Sequence, residues 1–100
     1  MKYQLTLPNK QKLIFKTLRE GFVAITSKWY YDKFPYRWRI DEYGNNVIQD
    51  DFLLDYNLRK DAFIEKHTDE LQEIGQSVTL DDLTLTVVDD LSHNFSSTLM

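Results

Sequence analysis

The sequence predicts an α+β domain: a small antiparallel β-sheet with one or two α-helices packed on one face. Three observations predict it. Short segments near both ends alternate apolar and polar residues, as half-buried strands do. Two longer interior segments carry apolar residues at helical spacing. Turn residues separate these segments, while Gly (3) and Pro (2) are too few in 100 residues for a linker or a low-complexity stretch.

The elements follow in order. Tyr3, Leu5 and Leu7 alternate with Gln4 and Thr6, Pro8-Asn9-Lys10-Gln11 is turn material, and Leu13-Ile14-Phe15 returns. Residues 2–16 therefore read as a β-hairpin. Thr17-Leu18-Arg19-Glu20 fits a capping box, and Leu18, Phe22, Ile25 and Trp29 recur at helical spacing. That predicts a helix over 17–33, although Gly21 and the run Val23-Ala24-Ile25-Thr26 also suit a strand. Phe34-Pro35 breaks regular structure. Arg37-Trp38-Arg39-Ile40-Asp41 alternates as a strand, Tyr43-Gly44-Asn45-Asn46 turns, and Val47-Ile48 begins a return.

Residues 50–75 read as a second helix. Leu53, Tyr56, Phe63, Ile64, His67, Leu71 and Ile74 fall near one stripe, with Gly75 as the residue after the last turn. Lys60 interrupts the stripe, which allows a break near Asn57. Val78 and Leu80, then Leu83, Leu85 and Val87 about Asp81-Asp82, form either a closing hairpin or one long edge strand. Residues 1–91 thus make one domain, and 92–100 read as a flexible tail. Leu, Ile, Val and Phe total 30 residues, enough for a core without staples. No apolar run reaches signal-peptide or membrane-span length, so a soluble, cytoplasmic protein is expected, with no membrane partner.

The chemistry is thin. With no Cys and two His, thiol catalysis and thiolate metal sites are excluded. His67 reads as a core or boundary histidine on its helix, and His93 lies in the tail. His67-x-x-Glu70 and Asp89-Asp90-x-x-His93 lack a third and fourth metal ligand at a known spacing. The three glycines are isolated, so no phosphate-binding loop occurs. Adjacent acids such as Asp41-Glu42 and Asp89-Asp90 diverge on either a strand or a helix and read as solvated surface. No catalytic residue, metal or cofactor is expected.

Charge carries the stronger signal. Residues 1–40 hold a net +7 and residues 41–100 a net −11, so the modest total of −4 conceals two opposed ends. Such asymmetry bears on partners and association rate. Half of the fourteen aromatics fall within 29–43, interleaved with basic residues. Lys28, Tyr30, Tyr31, Lys33, Tyr36, Arg37 and Arg39 are the candidate contacts there, with Tyr30, Tyr31 and Tyr36 the rings expected at the surface. Rings with cations make either a protein anchor or a single-strand nucleic-acid platform, or simply pack together. On the second helix, Asp51, Asp55, Asp61, Glu65, Asp69 and Glu73 include i,i+4 pairs. Those carboxylates would stand about 6 Å apart along the axis, near the phosphate spacing of a nucleic-acid strand. An ordinary solubilising surface would carry the same acids.

In size, in the absence of Cys and catalytic motifs, and in its acidic run from Asp41 to Asp90, the chain resembles the small acidic inhibitors of phages and mobile elements, anti-CRISPR and other DNA-mimic proteins among them. That class shares no fold, and the basic first 40 residues depart from a uniformly acidic mimic. The resemblance implies a non-enzymatic inhibitor whose acidic face occupies the basic, nucleic-acid-binding groove of a partner protein. Direct nucleic-acid binding through 28–39 is the alternative, and an enzyme with an unrecognised site a third. The opposed ends also suggest a homodimer, with 28–39 of one chain against 50–75 of the other.

Overall fold

A computed structural model of the chain describes residues 1–34, 42–44 and 52–90. It contains β1 (Lys2–Thr6), β2 (Lys12–Phe15), α1 (Leu18–Lys33), α2 (Phe52–His67), a single 3₁₀ turn (Thr68–Glu70), β3 (Ser77–Leu80) and β4 (Leu83–Val88). The four strands form one antiparallel sheet in the order β2-β1-β4-β3. The fold is α+β, with the helices on one side of that sheet.

Register decides which side. Tyr3 pairs with Phe15 and Val87, and Leu5 with Leu13 and Leu85. Leu85 in turn pairs with Val78. Directly opposed residues share a face, so these apolar side chains lie on the side of the helices, with Leu13 on the edge strand left exposed. The other face presents Gln4, Thr6, Ser77, Thr79, Thr84 and Thr86. The core comprises Tyr3, Leu5, Val78, Leu83, Leu85 and Val87 from the sheet, Phe22 and Ile25 from α1, and Leu71.

Both hairpins turn as their residues demand. In the first, Gln11 donates its backbone N–H to Asn9 Oδ1 (2.9 Å), and Lys10 takes the left-handed region at φ 71°. In the second, Leu80 pairs with Leu83, which leaves Asp81-Asp82 as a two-residue loop with Asp81 at φ 55°. Asp tolerates that region better than most residues. The 77–88 segment is therefore the hairpin and not a single long edge strand.

Helix α1 starts where the capping residues place it. Thr17 Oγ1 accepts the Glu20 N–H at 3.1 Å, and the Glu20 carboxylate reaches back to the Lys16 N–H at 3.2 Å. Residues 18–33 are helix and not strand, and Gly21 lets the helix backbone sit close to the sheet. A Cβ at that position would meet Leu85 Cδ1 at 3.1 Å and Tyr3 Cβ at 3.3 Å.

Helix α2 departs from expectation at its C-terminal end. It runs unbroken past Asn57 and Lys60 but stops at His67, so residues 68–75 are not α-helix. Side chains there capture the groups that would extend it. Gln72 Nε2 donates to the Thr68 carbonyl (2.7 Å), the acceptor that the Gln72 N–H would use in a helix. Gln76 Oε1 takes the N–H groups of Gln72 (2.7 Å) and Glu73 (2.8 Å) instead. The tighter path carries Leu71 into the core and leaves Ile74 55% exposed. Gly75, at φ 96°, turns the chain into β3 rather than capping a helix, and its N–H donates to the Val87 carbonyl at 2.8 Å. The expected strands at 37–41 and 47–48, the helix start at 50–51 and the tail at 92–100 lie outside the described residues.

Candidate functional site

Helix α2 lies on α1 and divides into three longitudinal strips. The inner strip holds Tyr56, Lys60, Phe63 and His67, all half-buried. Phe63 meets Phe22 edge to face at 5.8 Å, and Tyr56 meets Tyr30 the same way at 5.5 Å. Tyr56 Oη also lies 3.2 Å from Thr26 Oγ1. His67 packs on the Phe63 ring (4.5 Å between centroids), and its Nδ1 bonds the Glu70 carboxylate. That is a boundary histidine, as its place on the stripe implies.

The outer strip is Leu54, Leu58, Asp61 and Glu65, at positions i, i+4, i+7 and i+11 of one helix face. All four are exposed, Leu54 at 64% and Leu58 at 62%, and Leu53 beside them is 62% exposed. Asp61 has Lys60 Nζ at 3.9 Å, and Glu65 makes no ion pair among the described residues. The leucines occupy the N-terminal half of the strip and the carboxylates the C-terminal half.

The third strip, Arg59, Ala62 and Lys66, faces a cleft of about 280 Å³ that Trp29, Tyr56, Phe63 and Lys60 also line. Trp29 is fixed there by its indole N–H, which donates to Asp81 Oδ2 at 2.7 Å across 52 residues of chain. The Arg59 guanidinium lies 4.9 Å from the Phe34 ring and 5.9 Å from the Trp29 ring, with Nε on the Asp55 carboxylate (3.2 Å). On the far side of Trp29 a recess is lined by Asp32, Lys33, Asp81 and Asp82.

The candidate residues separate accordingly. Of the acids, Asp61, Glu65, Asp69 and Glu73 are exposed, but only Asp61 and Glu65 stand on the helix; Asp69 is in the 3₁₀ turn and Glu73 in the turn that follows. Asp55 is drawn inward, accepting the Tyr30 hydroxyl at 2.6 Å and the Arg59 Nε–H. Asp51 lies outside the described residues. The six-carboxylate ladder is therefore a pair on the helix with two further acids beyond its end.

Of the aromatic and basic set, Tyr31 and Lys33 are exposed, and Lys28 is paired with Asp32 at 3.2 Å. Tyr30, expected at the surface, is fully buried. Its ring closes the α1–α2 seam against Phe34 and Tyr56, and its hydroxyl is satisfied by Asp55, so burial strands no polar group. Tyr36, Arg37 and Arg39 lie outside the described residues.

Sequence reasoning missed the exposed leucines and the cationic cleft. Leu54 follows Leu53 by one residue and Leu58 follows Tyr56 by two, so both stand off the apolar stripe, which was the available signal. The cleft had none, because Trp29 and Lys66 are 37 positions apart and meet only in the fold. Among the described residues, no helix is long and apolar enough to cross a membrane, and no three His, Asp or Glu gather as metal ligands. Comparison of the chain with protein-family models, with curated proteins and with solved structures found no match.

Proposed function

We propose that the chain is a non-enzymatic binding protein that docks through the outer strip of α2 onto a basic, nucleic-acid-binding groove of a partner protein, in the manner of the acidic inhibitors it resembles. The observation that carries this reading is the strip itself. Exposed leucines that the fold leaves uncovered run directly into exposed carboxylates. Desolvated apolar anchors supply affinity, and like charges grouped at one end supply steering and orientation. Asp69 and Glu73 extend the acidic end, and the −11 half of the chain supplies the longer-range field.

The test is capture from an extract of the natural host at low and moderate salt. Wild type is compared with Leu54→Ser/Leu58→Ser and with Asp61→Lys/Glu65→Lys, and each captured protein is assayed for release of its nucleic acid. The expected result is a basic protein held by wild type, lost by both variants and freed of nucleic acid when held. Capture that is equal for all three, or that depends on intact nucleic acid, overturns the reading. A second copy of the chain is the competing occupant. A solution mass twice the monomer's that the leucine variant halves would assign the strip to self-association instead.

A further inference from the structure

We propose that the cleft between α1 and α2 is a binding site for a small anion with a planar ring, of the size and charge of a nucleoside monophosphate. Three features of the cleft converge on that class. Its lining carries three cations, Arg59, Lys60 and Lys66, and no carboxylate among the described residues, in a protein of net charge −4. Each cation has donors to spare. Lys60, with its side chain only 12% exposed, has an amide oxygen of Asn57 at 3.0 Å and a carboxylate no nearer than Asp61 at 3.9 Å. At 3.9 Å the Asp61 pair is longer than a charge-assisted hydrogen bond, so a bound anion can take a shorter one from the same ammonium. Among the described residues, Arg59 hydrogen-bonds through Nε alone, to Asp55, and Lys66 makes no ion pair.

The second feature is the ring surface. Trp29, Tyr56 and Phe63 line the same space, and the Asp81 bond holds the indole in one orientation. Aromatic faces beside cations accept a base by stacking while the cations hold its phosphate. The third is size. About 280 Å³ lies at the small end of ligand pockets, which suits one ring system with one charged group and not an oligomer. The Lys66 ammonium, with no ion pair among the described residues, and the spare donors of Arg59 and Lys60 suit the several acceptor oxygens of a phosphate better than a carboxylate. The site uses the opposite side of α2 from the Leu54–Glu65 strip, so it stands or falls independently of that reading.

The test is calorimetric titration with AMP and UMP, with adenosine, uridine and inorganic phosphate as separate probes. The indole N–H resonance of Trp29, assigned with Trp29→Phe, reports the location. The monophosphates are expected to bind and to shift that resonance, with the nucleosides and inorganic phosphate at least about tenfold weaker. Lys60→Met should weaken AMP by about tenfold. Lys66→Met removes an exposed charge that the fold does not need, and should weaken it several-fold while leaving thermal unfolding unchanged. No heat and no indole shift at about 10 mM nucleotide, where even a weak site fills, overturns the proposal. So does AMP affinity unchanged in Lys66→Met, or adenosine binding as tightly as AMP.

Discussion

Helices α1 and α2 are both sixteen residues long, yet they do opposite work. Helix α1 is pressed between the sheet and α2 and buries Gly21, Phe22, Ile25, Thr26 and Tyr30. Helix α2 has no side chain buried to that degree among its described residues, and it is held by half-buried rings and by hydroxyl bonds at Thr26–Tyr56 and Tyr30–Asp55. A helix with both sides covered is used up by the fold. A helix with one side covered has two strips left for something else. The two surfaces proposed here, the leucine–carboxylate strip and the cationic cleft, are both built mainly from α2.

The sharpest way to break this contrast is to truncate one ring from each helix. Phe22→Ala should cost about 3–5 kcal/mol, as for a fully packed core aromatic. Phe63→Ala, from the half-buried side of the same contact, should cost about half as much. Denaturant midpoints measure both, and equal losses would mean that α2 is as deeply built into the core as α1.

The next effect tests how the seam is held. Tyr30→Phe keeps the ring and removes the donor to Asp55, and should cost about 1.5–3 kcal/mol, the range of a hydrogen bond to a charged group. A double-mutant cycle with Asp55→Asn should show coupling above about 0.5 kcal/mol. Additive losses would move the seam's stability from that bond to the rings alone.

Gly21→Ala sharpens the picture on the α1 side. Alanine gains about 1 kcal/mol of helix propensity. Its Cβ must also press on Leu85, whose methyls can yield, and on Tyr3 Cβ, which is tied to β1. Overpacking of that kind costs about 1–3 kcal/mol. A net loss near 1 kcal/mol is expected, and a gain in thermal unfolding temperature would show that α1 stands further from the sheet.

The smallest effect lies on the outer strip. Leu54→Ser and Leu58→Ser should each change stability by no more than about 0.5 kcal/mol, because neither side chain is covered. A larger loss in either would place that leucine in the fold and remove it from the docking surface.

Much of this architecture was legible from local pattern. The 2–16 hairpin, the Thr17 cap and the 83–87 alternation each follow from residues a few positions apart, and each occupies its expected place. The end of α2 was not legible. The stripe from Leu53 to Ile74 continues through Leu71, but Gln72, Gln76 and Thr68 divert the backbone bonds, and periodicity carries no record of that competition. The site was less legible than the fold. Nothing in the local sequence pairs Asp55 with Tyr30, and they offset each other's burial cost only because α1 and α2 cross where they do.

Sequence by itself determined the 2–16 hairpin, the Thr17 cap, the 83–87 alternation and the separation of charge, because these depend on the chemistry of neighbours in the chain. Tertiary structure alone decided which acids remain exposed, which tyrosine is buried, and which cations share a cleft with Trp29. Those outcomes depend on which faces of two helices meet. That is fixed by packing between residues 25 to 52 positions apart, such as Tyr30 with Asp55 and Trp29 with Asp81.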